Sequence, residues 1–209
     1  MYIPRRYQET DPNIIEAFVR ANGFGTLVTI DGTRPRATHA LMDLTRDGDT
    51  LTLTGHIARA NKQWQDFESV GEALAIFSGA HTYISPRWYN HTNVPTWNYM
   101  AVHVYGVPRL ITDRDELHAV LDALVTKYES VPGTYTMDGL PADYLESQMQ
   151  AVAGFVMPVT EISASYKLSQ NRDAEDYDTI IAQLNQRGDE NSAGVAAEMQ
   201  ARRAGLFGK

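Results

Sequence analysis

Residues 24–57, FGTLVTIDGTRPRATHALMDLTRDGDTLTLTGHI, hold three β-rich runs separated by two aspartate-glycine pairs. The runs are Phe24 to Ile30, Arg36 to Leu44 and Thr50 to Ile57, which between them are rich in Leu and Thr with some Ile and Val. Asp31-Gly32 and Asp47-Gly48 are hairpin signals, because glycine accepts the positive φ that tight β-turns demand. Three consecutive antiparallel strands predict a meander or barrel rather than a doubly wound sheet.

Upstream, Asp11-Pro12 opens a helix: aspartate caps it, and proline fits a first turn whose N–H would have no partner. Ile14, Ile15, Phe18 and Val19 form its apolar stripe, and Asn22-Gly23 supplies a left-handed stop. Downstream, a short helix is expected from Arg59 to Ser69, a buried strand at Glu72 to Ser78 and another at Thr82 to Ser85. The connection Pro86 to Pro95 is aromatic and polar. A long strand, Thr96 to Leu110, follows, with Gly106 and Pro108 marking a bulge or edge. Thr112 opens a helix with Asp115 three residues on, a smaller helix covers Asp143 to Met149, and Gly154 to Ser163 is a last strand. From Asp173 the pattern is helical (Ile180, Ile181, Leu184) and breaks at Gly188; Ala193 to Arg203 reads as a weak helix. The expected organisation is therefore a domain over residues 1–172 and a helical C-terminal extension over 173–209, packed on that domain or on a partner subunit.

Composition narrows the function. Of 209 residues 43% are hydrophobic and 21% charged, as in a globular chain able to bury a sizeable core. No apolar run could span a membrane, and Met1 to Arg6 lacks the apolar segment of a signal peptide, so a cytoplasmic location is expected. With no cysteine there is no disulfide, thiolate ligand or thiol nucleophile. The six histidines show no metal-ligand spacing, so no metal is expected. No Gly-x-Ser-x-Gly elbow or dinucleotide fingerprint is present. A net charge of −8 opposes general attraction to nucleic acid, so DNA binding would need a local basic patch.

Gly55-His56-Ile57-Ala58-Arg59-Ala60-Asn61-Lys62 lies where a strand hands over to the expected helix. A helix start presents free N–H groups to an anion, Arg59 adds a fork of donors and Lys62 a further charge. By pattern alone, an exposed helix start with a surface arginine is the readier reading. Thr38 alternates with Ala37 and His39 and could offer a hydroxyl to a phosphate, or serve only as a β-former. Trp88, Trp97 and Asn98 border the aromatic connection, where a planar ligand or a hydrophobic plug fits equally.

Taken together, Met1-Tyr2-Ile3-Pro4, Ala37-Thr38-His39, the run Gly55 to Asn61, Tyr83-Ile84-Ser85-Pro86, Val94-Pro95-Thr96-Trp97-Asn98-Tyr99 and Lys167-Leu168-Ser169-Gln170-Asn171-Arg172 resemble, in order, the PaiB family of FMN-binding negative transcriptional regulators. Tyr166 stands where that family tends to carry tryptophan. The resemblance implies an α+β, mainly β fold: an antiparallel FMN-binding split β-barrel with peripheral helices and a helical C-terminal tail. It implies a homodimer with FMN at the subunit interface. Arg59, Asn61 and Lys62 would clamp the phosphate with His56 and Thr38 nearby, His39 would be a further cofactor contact, Trp97 and Asn98 would approach the flavin, and Lys167, Gln170 and Arg172 would reach a site shared with the partner. The alternatives are an FMN-dependent oxidoreductase, in which the cofactor carries the chemistry and no catalytic side chain need be visible, or a haem-binding or haem-degrading protein.

Overall fold

The computed structural model describes residues 1–67, 71–129 and 135–208. Eight strands form a sheet: β1 (Gln8–Glu9), β2 (Phe24–Asp31), β3 (Arg34–Asp47), β4 (Thr50–Ala58), β5 (Ala73–Ile84), β6 (Thr96–Gly106), β7 (Arg109–Leu110) and β8 (Val152–Lys167). Their order is β1-β8-β4-β3-β2-β5-β6; β7 pairs with β8, and β8 also pairs with β6. The helices are α1 (Pro12–Ala21), α2 (Arg114–Tyr128), α3 (Ala142–Gln150), α4 (Ala174–Arg187) and α5 (Glu190–Phe207). No helix among the described residues is long and apolar enough to cross a membrane.

This arrangement corrects the expected mainly β split barrel. Helix takes 40% and strand 37%, a mixed α/β fold built on a sheet. The physical reason is that amphipathic helices find apolar strips to cover. The alanine-rich tail, which reads as a weak helix by itself, becomes the 18-residue α5 by burying Val195, Ala196 and Met199.

The chain forms two compact units. One comprises Val19–Phe77 and His103–Ile162. Its β2–β3 and β3–β4 hairpins pair antiparallel, Asp31 opposite Arg34 and Asp47 opposite Thr50. Both aspartates therefore close the ladders, and the loops are Gly32-Thr33 and Gly48-Asp49, with φ +60° and +57° at the glycines. Alternation sends Leu53, Gly55 and Ile57 of β4 inward. There Met42, Leu44, Phe155 and Met157 are fully buried, and Phe67 meets Phe155 edge-on at 5.3 Å. The opposite face of β8 carries Val152 and Val156, packed with Leu117, Leu145 and Met149 of α2 and α3. Gly154 permits that layer: a Cβ there would lie 2.4 Å from Leu117 Cδ1.

The other unit comprises Met1–Phe18, Ser78–Val102 and Ser163–Lys209. β1 pairs with the end of β8, Gln8 opposite Ser165. Helices α4 and α5 pack on each other through Ile180, Leu184, Val195 and Met199, and the buried Tyr177 hydroxyl donates to Met199 O at 3.0 Å. Gly188, with φ +75°, is the left-handed cap that separates them.

Several boundaries differ from expectation. Gly23 has no positive φ; it is needed because a Cβ would lie 2.8 Å from Met42 O and Tyr128 Oη. The two expected strands over 72–85 are one strand, β5, and the expected long strand is broken at Val107-Pro108. Helix α2 is capped by Asp113, which accepts from Glu116 N at 2.8 Å, rather than by Thr112. The expected helix from Arg59 is absent: β4 runs to Ala58, and a five-residue 3-10 turn covers Lys62–Asp66. Glu68 and Ser69, its expected end, lie outside the described residues.

Candidate functional site

The 3-10 turn removes the helix-start argument for an anion, since five residues build no α-helical macrodipole. Side-chain charge is what remains. In the first unit Arg59 is held firmly: its backbone N–H donates to Ala151 O at 2.8 Å, its Nε to Val152 O at 3.1 Å, and its guanidinium lies 5.6 Å from the Trp64 ring. Its terminal Nη groups meet no partner among the described residues. Lys62 is exposed and likewise pairs with no described carboxylate.

Thr38 and Asn61 are brought together by Gln63, a residue the sequence reading did not single out. Asn61 caps the turn by accepting from Gln63 N at 3.1 Å and donates from Nδ2 to Thr38 Oγ1 at 2.7 Å. The Thr38 hydroxyl donates to Gln63 Oε1. Gln63 is fully buried, and its Nε2 donates to Leu27 O at 3.0 Å and Arg36 O at 3.2 Å. Thr38 and Asn61 thus act first as structural pins. His56 points from the outward face of β4; burial lowers its pKa and keeps it neutral at pH 7, and its buried Nδ1 has no hydrogen-bond partner. His39 is exposed and stacks on Phe24 at 5.9 Å.

In the second unit Lys167 Nζ donates to Thr96 Oγ1 at 2.5 Å. Burial, and then the positive charge of Arg172, hold the Lys167 pKa below its ordinary value. Arg172 lies 4.3 Å from the Tyr89 ring centroid, and its buried Nε meets no acceptor. Neither cation pairs with a described carboxylate. Trp97 is 46% exposed, with His81 and Tyr83 beside its ring at 5.8 and 6.4 Å. Asn98 is fully buried, its amide exchanging hydrogen bonds with Ser169 Oγ at 3.0 and 3.1 Å. Ser169 holds a left-handed φ of +63°, the one such non-glycine residue described. Gln170 folds back on its own turn, donating to Tyr166 O and accepting from Leu168 N.

Trp97, Lys167 and Arg172 are therefore the ligand-capable members of this set, and Asn98 and Gln170 are committed internally. Tyr89 and Thr96, which contact Arg172 and Lys167, and Ser169, which pins Asn98, are not singled out as site residues by the sequence. Only the aromatic run at 83–99 signalled Tyr89; nothing in the sequence marks Ser169 for a left-handed backbone. Free cations, a buried unpartnered guanidinium nitrogen and an exposed indole suit a ligand that is both anionic and aromatic.

The family model described as "Putative FMN-binding domain" matches residues 1–161, and the chain belongs to this PaiB-type FMN-binding family. Within it, the chain is 40% identical over 201 residues to "Protease synthase and sporulation protein PAI 2" of Bacillus subtilis (strain 168), spanning 96% of this chain and 97% of that one. An uncharacterized protein of Aspergillus fumigatus is 25% identical over 258 residues, at 97% of each chain. In fold, the chain resembles the flavocytochrome Anf3 from Azotobacter vinelandii, with TM-score 0.64, 18% identity and coverage of 85% of this chain and 78% of that one. It also resembles the FAD and haem binding protein from Mycobacterium smegmatis, with TM-score 0.60, 17% identity and coverage of 77% and 73%.

Proposed function

We propose that the protein is a homodimeric FMN-binding regulator, in which flavin occupancy biases an interaction with a partner or with DNA. The observation that carries this reading is the Lys167–Arg172 pair: two half-buried cations, mutually repelling and without a carboxylate. Such a pair is costly in an empty protein and favourable beside an anion. FMN offers a phosphate for Arg59 and Lys62 and a planar ring whose carbonyl oxygens can accept from Lys167 and Arg172, and membership of the FMN-binding family makes it the ligand of choice.

In this reading Arg59 and Lys62 bind the phosphate, with Thr38, His39 and Asn61 on the neighbouring strand and turn, whereas His56 faces the cavity beside α2 and α3 and takes no part. Trp97 and Asn98 approach the ring, and Lys167, Gln170 and Arg172 serve a site shared by two subunits. Bound FMN supplies reversible electron transfer; the chain's own part is to hold the phosphate and orient the ring. The dimer is supported by the outward face of β2, β3 and β5. Registered neighbours place Phe24, Val28, Ile30, Ala37, His39 and Leu41 on it, with Leu74 opposite Val28, and none of these carries a carboxylate or an amine. Phe24 is 70% exposed. Two copies of a chain with net charge −8 can meet on such a face without burying like charges. The same net charge restricts any operator contact to a local patch.

The test is titration of the full chain with FMN, followed by flavin absorbance and quenching of flavin fluorescence. Saturable binding of one FMN per chain, at least ten-fold weaker in Arg59→Ala, is expected. Absence of saturable binding overturns the reading, and flavin-dependent NAD(P)H oxidation would move it to an oxidoreductase.

A further inference from the structure

The β4 strand carries a polar atom that the FMN reading leaves unexplained. His56 faces a cavity of about 510 Å³ between the outward face of the sheet and helices α2 and α3. That volume lies within the range of small-molecule sites. Leu121 and Leu124 of α2 and Leu145 and Met149 of α3 form its walls. The helices cover this part of the sheet yet leave an opening next to the one buried ring nitrogen without a partner in the cavity wall.

The lining decides the ligand's chemistry. Among the described residues it includes no lysine or arginine, and its one charged residue is Glu129, at the exposed end of α2. A phosphate entering here would meet a carboxylate and no cation, so this cavity does not suit the FMN phosphate. Aliphatic walls, with the rings of Tyr128, Tyr135 and Tyr144 at the lining, suit an apolar, flat molecule. A purely aliphatic ligand would leave the imidazole nitrogen unsatisfied, whereas one hydrogen-bonding group on an aromatic body would satisfy it.

We infer that the cavity between α2, α3 and β4 is a second binding site, for an uncharged aromatic small molecule that hydrogen-bonds to His56 Nδ1. The site is independent of FMN and adjoins the strand that leads to Arg59, which places an effector next to the proposed phosphate contacts.

N-phenyl-1-naphthylamine, an uncharged aromatic amine whose fluorescence rises in apolar surroundings, is the probe. Titrated into the full chain, it is expected to bind saturably at one site per chain. Leu124→Trp fills the cavity from its buried wall, and Gln148→Trp does so from an exposed position of α3 that folding does not depend on. Each is expected to weaken probe binding at least ten-fold, with FMN titration of the same variants unchanged. Nitrogen-15 spectra of the imidazoles should show the His56 signal moving as the probe saturates. Absent saturable binding, full binding in Gln148→Trp, or an unmoved His56 signal each overturns the inference. FMN binding measured alongside separates that failure from failure of the flavin reading.

Discussion

Arg202 grips Glu9 across nearly the whole length of the chain, Nη2 to Oε2 at 2.6 Å, while its Nε holds Glu198 one turn back on α5 at 2.6 Å. The guanidinium also lies 4.5 Å from the Tyr166 ring centroid. Glu9 is only 9% exposed, and its other oxygen accepts from Thr10 N and Asp11 N, each at 2.8 Å. Arg202→Ala leaves that buried carboxylate without its cation, held by two backbone N–H groups alone, and is expected to cost about 2–4 kcal/mol, read from urea unfolding. Arg202→Lys, which cannot span both carboxylates, should recover less than half of that loss.

Lys167 should trade stability for binding. Its folded pKa lies below the ordinary 10.5, so the charged form is penalised in the native state at every pH below that folded value. The penalty is relieved as pH rises from the folded pKa towards 10.5. Lys167→Met is therefore expected to raise the melting temperature at neutral pH, with the gain shrinking at high pH. The same variant should weaken FMN about ten-fold, equivalent to about 1.4 kcal/mol. A variant that melts lower and binds FMN normally would contradict both halves.

Burial of His56 makes the protein acid-sensitive over a defined window. Unfolded, the imidazole titrates near 6.5; folded, it resists protonation to lower pH. Between those values the unfolded chain binds more protons, so stability falls as pH drops below about 6.5 and levels off once the folded group titrates. His103, also shifted downwards mainly by burial, adds to the same limb. Comparing urea midpoints at about pH 7.5 and pH 5, His56→Gln should lose part of the wild-type difference and His56→Gln/His103→Gln most of it.

Phe24 gives a direct handle on assembly. Its ring is exposed and stacked on His39, so Phe24→Arg should leave the fold intact and introduce a charge on the uncharged face. Sedimentation velocity is expected to show a dimer for the wild type and a monomer for the variant at micromolar concentration. Two dimers of equal stability would remove this face from the interface.

The parts of the fold legible in the sequence are those fixed by short-range physics. Gly32 and Gly48 announce both hairpins because only a positive φ closes such loops, and Asp173 and Gly188 bracket α4 for similarly local reasons. What was misread depends on distant partners. Gly106 and Pro108 mark a bulge or edge in the sequence, but not that the strand stops there and resumes as β7 on β8. The residues after Arg59 have helical composition, yet Gln63 is drawn to carbonyls on β2 and β3, which leaves room only for a 3-10 turn. The balance of helix and strand was misjudged because α5 owes its length to burial against α4, not to propensity. At the candidate site, ordered motifs mark whole segments and cannot separate Arg172, whose Nε is unpaired, from Gln170, which is folded back on its own turn.

Gln63 sits at a position that tolerates almost no substitution. Its amide donates twice to main-chain carbonyls and accepts once from Thr38. Glutamate would set a negative charge against two carbonyl oxygens, asparagine would fall a methylene short, and leucine would strand all three partners away from water. A library of single changes across residues 59–67, sorted for folding and not for FMN binding, should thus pass many replacements at Lys62 and Gln65 and almost none at Gln63. Drift through this stretch is confined to its solvent side by one buried amide.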